Sequence, residues 1–275
     1  LGIGGVAGAL IVVAGLSVRS IRPVVAAVGI VVAAVAVPWA HPWPVVPTLT
    51  VLDVGQGDSI LIQTPDGSTM LMDGGSDPGV LDRALRRHGV RSLDVVIVSH
   101  DDLDHAGGLA ELVRQGRIEV LVVSRFVRDS DLVMAALEHG IRVNRVEAGD
   151  RLTVGEITAE ILSPSRRYVS DNDGSIVLFV PTAISVLLPG DAEAVALREL
   201  PALAPDVMVV PHHGSATTDL RWLERTLGSV AILSYGPNRY GHPHPDIVAA
   251  LVAAGVTIHR TDEVGDITIE LVGQS

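Results

Sequence analysis

The segment Ser99–Gly108 places five metal-ligand side chains within ten residues. Its sequence, SHDDLDHAGG, holds two histidines and three aspartates ahead of a glycine pair. It follows the mostly apolar run Leu93–Val98, which predicts a buried strand, and ligand-binding groups collect where such a strand ends in a loop. In a loop, the imidazole nitrogens and carboxylate oxygens of this segment can converge on one or two divalent cations. The alternative is a polar loop in which Asp104 caps a helix.

Polar side chains also follow three later predicted strands. Asp191 ends the segment LPGD, where its carboxylate can bridge two cations or cap the next helix. His212 and His213 lie in PHHGS. Two adjacent histidines do not suit the core together, so we expect one ligand and one proton donor or substrate contact. His242 lies between Gly and Pro in GHP, and this rigid backbone suits a positioned ring.

Two glycine-containing segments lie beside predicted strands earlier in the chain. The segment Asp53–Asp58, DVGQGD, joins two strands. It is either a plain β-turn or a loop in which Asp58 hydrogen-bonds backbone amides or the metal loop. Asp73, in DGG, ends another strand and predicts a turn.

Residues 47–275 show the pattern of an α/β domain. Short apolar strands are separated by Gly, Pro and Asp turns and alternate with helices. Each half of this region begins as a strand meander and continues as strand–helix alternation. Two sheets packed face to face with helices outside satisfy this order, and the ligand-rich loops then gather at one edge. Because aromatic residues make up only 3%, the core must be built from Val, Leu, Ile and Ala.

Residues 1–46 have a different composition. Two uncharged apolar runs, Leu1–Leu16 and Val24–Val37, flank a loop that contains Arg19 and Arg22. Each run is shorter than the roughly 20 residues that span a bilayer, but its flanks can extend it, and we predict a membrane-associated helical hairpin. A cleaved signal peptide and a pair of buried core helices are the alternatives. Residues typical of a membrane interface follow at Trp39, His41 and Trp43.

The two arginines of the loop predict the topology of this hairpin. Basic loops stay in the cytoplasm, so the chain after Pro44 is expected on the extracytoplasmic side of the cell membrane. The chain begins at Leu1 rather than at methionine, and we expect it to be a piece of a longer membrane protein.

Charge and cysteine content narrow the function classes. The formal net charge of −12 disfavours a tight, non-catalytic nucleic-acid binder, because such proteins usually carry a basic face. Bound cations would account for part of the acidic excess. The chain contains no cysteine, which excludes disulfides and cysteine-ligated zinc.

The order of the motifs DVGQGD, DGG, SHDDLDHAGG, PGD, PHHGS and GHP resembles the metallo-β-lactamase superfamily. Within it, the chain is similar to the C-terminal domain of the ComEC/Rec2 competence proteins, over residues 47–272. The resemblance implies an αββα sandwich that binds two divalent metal ions, Mn²⁺ or Zn²⁺. It also implies metal ligands along the motifs: His100 and Asp102 for one metal, Asp104 and His105 for the other, Asp191 bridging both, and His212 or His213 in addition.

The chain departs from the wider superfamily pattern at two places. Asp102 stands where that pattern usually has histidine, which adds a hard oxygen ligand and shifts the preference from zinc toward manganese or magnesium. A further usual histidine is absent, and Asn172 or Asp173 in the segment SDNDGS is the candidate replacement.

The resemblance implies metal-assisted phosphodiester hydrolysis, in which two cations activate water and offset charge on the phosphoryl oxygens. We expect a nuclease that degrades the non-transported DNA strand at an uptake channel during natural transformation. It would contact single-stranded or duplex DNA transiently and adjoin the membrane channel portion of the same protein, with no lipid-specific ligand. A small-molecule phosphodiester hydrolase and a non-catalytic DNA-guiding domain are the alternatives. The predicted metal ligands are His100, Asp102, Asp104, His105, Asp191 and His212, and the predicted catalytic residues are Asp104, His213 and His242.

Overall fold

The computed structural model describes residues 43–273. The apolar hairpin predicted in residues 1–46 lies outside this range, except for its last four residues. Within residues 43–273, no helix combines the length and the apolar character needed to cross a bilayer.

The strands of the described region form two seven-stranded sheets. The first sheet has the order β14-β1-β2-β3-β4-β5-β6 and the second has the order β13-β12-β11-β10-β9-β8-β7. In each sheet one half is an antiparallel meander and the other half is parallel. The strand bounds are β1 Thr48–Val51, β2 Ile60–Gln63, β3 Thr69–Met72, β4 Leu93–Ile97, β5 Ile118–Ser124, β6 Arg142–Val146, β7 Arg151–Val154, β8 Ile157–Ser163, β9 Val177–Val180, β10 Val186–Leu188, β11 Val207–Val209, β12 Val230–Leu233, β13 Thr257–Arg260 and β14 Ile267–Glu270.

Helices cover the outer face of each sheet. Their bounds are α1 Pro78–Arg87, α2 Leu103–Ala106, α3 Ala110–Arg114, α4 Asp131–Glu138, α5 Ala194–Glu199, α6 Leu220–Thr226, α7 Pro245–Ala254 and α8 Thr261–Val264, with 3₁₀ turns at Gly107–Leu109 and Pro211–Gly214. The result is the α/β sandwich with αββα layers that the strand pattern predicts.

Successive side chains of a strand alternate between the core between the two sheets and the core under the helices. In β2, Ile60 and Ile62 enter the cluster between the two sheets, whereas Leu61 packs into the cluster under the helices. Met70 and Leu71 of β3 divide in the same way. Since successive side chains of a strand point to opposite faces, a strand covered on both sides must be apolar at every position. These strands are therefore nearly continuous runs of Val, Ile, Leu and Met.

The first described residues pack on this domain. The indole of Trp43 joins the apolar cluster under the helices, and its Nε1 donates a hydrogen bond to the carbonyl oxygen of Thr64 at 2.7 Å. The sequence predicts an interfacial position for Trp43, and the structure places its ring against the sandwich instead. The reason is tertiary, because the partner carbonyl lies 21 residues further along the chain.

The parallel halves of the two sheets bring the polar loops together. β3 and β4 are parallel neighbours and end just before Asp73 and Ser99. β10 and β11 are also parallel neighbours, and the loops after them contain Asp191 and His212. Because the carboxyl ends of parallel strands meet at the same edge of a sheet, these loops gather at one edge of each sheet.

Candidate metal centre

His105 lies at the centre of the buried polar cluster, and a carboxylate orients its ring. Nδ1 of His105 is 2.8 Å from Oδ2 of Asp73, and both side chains are fully buried. Asp73 adopts a positive φ of 62° directly after β3, which turns its carboxylate toward this ring. The Nδ1–H group of His105 therefore donates a hydrogen bond to Asp73. Nε2, on the other side of the ring, keeps its lone pair and points away from Asp73.

His100 is oriented through Ser99 in the same manner. The Ser99 hydroxyl donates to Oδ2 of Asp73 at 2.6 Å and lies 3.0 Å from Nδ1 of His100. Because the hydroxyl proton is directed to Asp73, the hydroxyl oxygen accepts the Nδ1 proton of His100. The Nε2 lone pair of His100 then faces the same space as that of His105.

His213 completes a set of three oriented imidazoles. Its Nδ1 donates to the carbonyl oxygen of Ser234 at 2.8 Å, and the ring is buried. Both His212 and His213 adopt a positive φ, of 49° and 53°, which aims two consecutive side chains into the loop edge. Nε2 of His213 is again the free nitrogen and points into the cluster.

The carboxylate of Asp191 is the shared neighbour of these rings. Its Oδ1 lies 3.1 Å from Nε2 of His105 and 3.5 Å from Nε2 of His213. Its Oδ2 lies 3.8 Å from Nε2 of His100 and 3.4 Å from Nε2 of His212. One carboxylate therefore faces four imidazole nitrogens from the loop that follows β10.

The electrostatics of the cluster favour positive charge at this position. Burial by itself lowers the pKa of His213, but the carboxylates of Asp191 and Asp58 outweigh it and raise that pKa to about 9. Burial likewise opposes protonation of His105, yet Asp191 and Asp73 hold its pKa well above its ordinary value. Burial raises the pKa of Asp191, and the surrounding imidazoles more than offset this and keep the pKa well below its usual range.

The donor set fits divalent metal ions. Nε2 of His100, His105 and His213 and Oδ1 of Asp191 are buried and make no hydrogen bond within the described region. Buried polar atoms without partners are costly, and four that converge are explained by a ligand that accepts all of their lone pairs. One group of possible ligands is His100, His105 and Asp191, and a second is Asp104, His105 and His213. Mixed imidazole and carboxylate donors suit Zn²⁺ or Mn²⁺.

The other predicted residues lie at the open side of this cluster. Asp104 is partly exposed, and its Oδ2 lies 3.6 Å from Nε2 of His213 and accepts a hydrogen bond from Gln56 at 3.4 Å. The side chain of Asp102 is 56% exposed, and its Oδ2 lies 3.5 Å from Nε2 of His100. The close His100 imidazole lowers the pKa of Asp102. Asp102 thus flanks the buried donors and belongs to none of the candidate ligand groups of residues 43–273.

His212 and His242 also line the open side. Their ring centroids are 5.3 Å apart, and His212 contacts Thr217 through Nδ1 at 3.2 Å. Burial, followed by the neighbouring His212 and His213, lowers the pKa of His242. The geometry thus favours the reverse of the predicted division between the adjacent histidines, with His213 as a ligand and His212 beside the opening.

Neither candidate for the absent histidine joins the cluster. The Asp173 carboxylate accepts a hydrogen bond from the backbone N–H of Ala196 at 2.9 Å, in the first turn of α5. The Asn172 amide donates to Glu193 at 3.3 Å. Both side chains bind protein groups, so the centre is built without them.

Sequence reasoning missed the role of Asp73. The motif DGG predicts a turn, and the turn is present, but the carboxylate also supports both His105 and Ser99. Asp58, for which the sequence left a plain turn and a contact to the metal loop as alternatives, is buried, and its Oδ1 lies 3.4 Å from Nδ1 of His213. The signal available in the sequence was the repetition of Asp next to Gly at the ends of strands.

We predict that Asp73→Asn weakens metal binding by about 10- to 100-fold, the usual effect of removing a carboxylate that orients a ligating histidine. The amide keeps the size of the side chain but can present N–H groups to Nδ1 of His105. Competition with a chromophoric chelator, using Zn²⁺ and then Mn²⁺, measures the change.

The matched control for this prediction is Asp94→Asn. Asp94 accepts hydrogen bonds from the backbone and hydroxyl of Thr69 at the start of β3, at 2.7 and 2.9 Å. This change should lower stability and leave metal affinity unaltered. Equal losses of metal affinity in the two variants would contradict the assigned role of Asp73.

The comparisons with known proteins agree with this fold and site. Residues 52–131 match the model of the metallo-β-lactamase superfamily. The chain is 32% identical to ComE operon protein 3 of Bacillus subtilis (strain 168) over 247 residues, which is 78% of this chain and 32% of that protein. It is 30% identical to competence protein ComA of Neisseria gonorrhoeae, over 78% of this chain and 31% of that protein. The chain thus spans about a third of the length of these relatives.

A solved structure shows the same fold at low identity. Tm1679, a metal-dependent hydrolase of the β-lactamase superfamily, superposes with a TM-score of 0.57 at 14% identity, covering 82% of this chain and all of that one. The sandwich and the site therefore define a domain of the metallo-β-lactamase superfamily, whose fold implies divalent metal binding. Within that superfamily, the chain belongs to the ComEC/Rec2 family of competence proteins.

Proposed function

We propose that the domain is a metal-dependent phosphodiesterase that cleaves DNA at an uptake channel. The observation that carries the proposal is the convergence of three buried Nε2 atoms and one buried carboxylate oxygen, all without hydrogen-bond partners. A domain that merely guides DNA has no need of such a set, because every unsatisfied buried donor or acceptor lowers stability. Similarity to competence proteins supports DNA as the substrate.

The residues of the site have two proposed roles: some would bind the cations, and others would contact the substrate. His100, His105 and His213 are fixed by bonds at Nδ1 and would hold the cations through Nε2, together with Asp191. Asp104 lies at the partly exposed end of the cluster, where a substrate phosphate can approach. When bound, the cations would lower the pKa of water and offset charge on the phosphoryl oxygens.

Protonation of the leaving oxygen falls to the imidazoles at the opening. His213 is buried, and its Nδ1 is occupied by Ser234, which fits a ligand better than a proton donor. His212 and His242 lie at the opening and can face a leaving group. We assign the proton-donor role to this pair, since a general acid must come within hydrogen-bond reach of the leaving oxygen.

The experiment combines metal analysis with a cleavage assay on the purified chain. We expect two divalent cations per chain and cleavage of single-stranded DNA, with Asp104→Ala lowering the rate by on the order of 10³-fold, because bound cations contribute several kcal/mol. Glu224→Ala, an exposed carboxylate of α6, is the control and should cleave normally.

Two outcomes would overturn the proposal. Less than one cation per chain with no cleavage of any phosphodiester would favour a DNA-guiding domain. Hydrolysis of bis(p-nitrophenyl) phosphate without cleavage of any DNA would assign the site to small phosphodiesters.

The membrane context is part of the same proposal. In the whole protein the domain would adjoin a membrane channel and face the extracytoplasmic side, where the incoming strand is accessible. Protease added to intact cells should then cleave within residues 47–275. Protection of this region until the membrane is permeabilised would place it in the cytoplasm instead.

A further inference from the structure

A cleft of about 560 Å³ opens beside Asp104, at one end of the metal cluster. This volume lies within the range of sites for small organic groups. The exposed side chains of Leu103 and Tyr240 and the guanidinium of Arg239 lie along it.

Tyr240 is unusual among the aromatic residues of this protein. Of the aromatic side chains in residues 43–273, it is the exposed one, at 58%. An exposed ring beside the candidate metal centre offers a face on which a base can stack. Its plane lies 20° from that of His242, with 5.8 Å between the ring centroids.

The loop that carries this ring is rigid. Oδ1 of Asn238 accepts hydrogen bonds from the backbone N–H groups of Tyr240, Gly241 and His242, at 3.0 to 3.1 Å. Its Nδ2 donates to the carbonyl oxygens of Gly236 and His242. A ring on such a loop loses little conformational entropy when a flat ligand stacks on it.

The charges of the cleft complement an anionic ligand. The Arg239 guanidinium lies 5.6 Å from the centre of the Tyr240 ring, and no carboxylate pairs with it among the described residues. Asp104 is the one acidic side chain that lines the cleft, and its carboxylate lies 3.6 Å from Nε2 of His213 in the metal cluster. An aromatic face and a cation next to a phosphodiester site are the elements with which proteins hold single-stranded nucleic acids.

We propose that this cleft binds the nucleotide next to the scissile phosphate, with the base stacked on Tyr240 and a flanking phosphate on Arg239. This inference rests on the proposed function and specifies its substrate as single-stranded nucleic acid. A base within a duplex is stacked on both sides, so only an unpaired nucleotide can offer its face to Tyr240.

The test measures binding separately from cleavage. Fluorescence anisotropy of labelled oligothymidylate with the chelator-treated chain gives the Kd at several salt concentrations. Tyr240→Ala should weaken binding about 5- to 100-fold, the usual effect of losing one stacked base, and Tyr240→Phe should restore most of it. Arg239→Ala should reduce the slope of log Kd against log salt by about 0.7, the value for one phosphate contact on a single strand.

Arg83→Ala on α1 serves as the control, because this exposed arginine lines neither this cleft nor the cluster and should change neither quantity. Unchanged Kd in Tyr240→Ala, or an equal loss in Tyr240→Phe, would overturn the inference. Binding of the wild-type chain to anionic phosphatidylglycerol vesicles that depends on Leu103 and Tyr240, without such dependence for the oligonucleotide, would assign this face to a membrane and overturn it also.

The two proposals fail separately. Tyr240-dependent binding of the oligonucleotide by a chain that cleaves no phosphodiester would refute the proposed hydrolysis and support the cleft. Cleavage of DNA with no contribution from Tyr240 or Arg239 would support the hydrolysis and refute the cleft.

Discussion

Replacement of Asp191 by asparagine should abolish metal binding at the centre. The carboxylate lies within 3.8 Å of four imidazole nitrogens, so its negative charge acts on every histidine of the cluster. We expect metal affinity to fall by more than the roughly 100-fold upper limit expected for supporting residues such as Asp73. Phosphodiester cleavage should fall by on the order of 10³-fold or more.

Thermal unfolding gives a measurement that does not depend on activity. At a metal concentration of about 100 times Kd, binding stabilises the wild-type fold by roughly 2.7 kcal/mol, which raises the Tm of a domain of this size by about 5–10 °C. Asp191→Asn should lose this rise, because the neutral amide lacks the negative charge that would hold the cations.

Asp173→Asn is the matched control for this change. Asp173 is also a buried aspartate near α5, but its carboxylate accepts a hydrogen bond from the N–H of Ala196, and it belongs to none of the candidate ligand groups of residues 43–273. The variant should unfold more easily and still bind metal with wild-type affinity. A rise of Tm with metal in Asp191→Asn, or its loss in Asp173→Asn, would contradict the assignment of the ligands.

The layers of the sandwich were predictable because hydrophobic patterning is local. Strands such as β2 are apolar on both faces, and this pattern by itself implies cover on both sides. The motif Ser99–Gly108 could also be recognised from the sequence, since its candidate ligands lie within ten residues. The sequence did not predict the short helix α2, which begins inside that motif. The motif has too few apolar residues to show the periodicity of a helix.

The division of roles between neighbouring side chains was not predictable. His212 and His213 have nearly the same local sequence, and what separates them is a carbonyl oxygen of Ser234, 21 residues away. Asp73 acquires its role from His105, 32 residues further along the chain. Asp102 is a predicted ligand, and the loop leaves its side chain 56% exposed with Oδ2 3.5 Å from Nε2 of His100. These differences depend on tertiary contacts that no local pattern encodes.

Gly57→Ala should destabilise the domain by ~2–5 kcal/mol and weaken metal binding at the same time. Gly57 adopts a φ of +118°, which side-chain-bearing residues rarely adopt, and a Cβ there would lie 1.9 Å from the backbone oxygen of Asp104. Backbone strain of ~1–2 kcal/mol adds to an overpacking cost of ~1–3 kcal/mol. Because the clash is with the main chain of a candidate ligand, relief must move Asp104 itself.

Gly55→Ala is the control for this prediction, because it introduces backbone strain without a steric clash. Gly55 lies in the same loop with a φ of +80°, but a Cβ there would meet nothing within 4 Å. Its cost should be only the ~1–2 kcal/mol of backbone strain, with metal affinity unchanged. Urea unfolding of the metal-free chain and chelator competition measure the two quantities. A loss of metal affinity confined to Gly57→Ala would show that the close approach of this loop to Asp104 shapes the metal centre. Equal effects of the two alanine variants would contradict this.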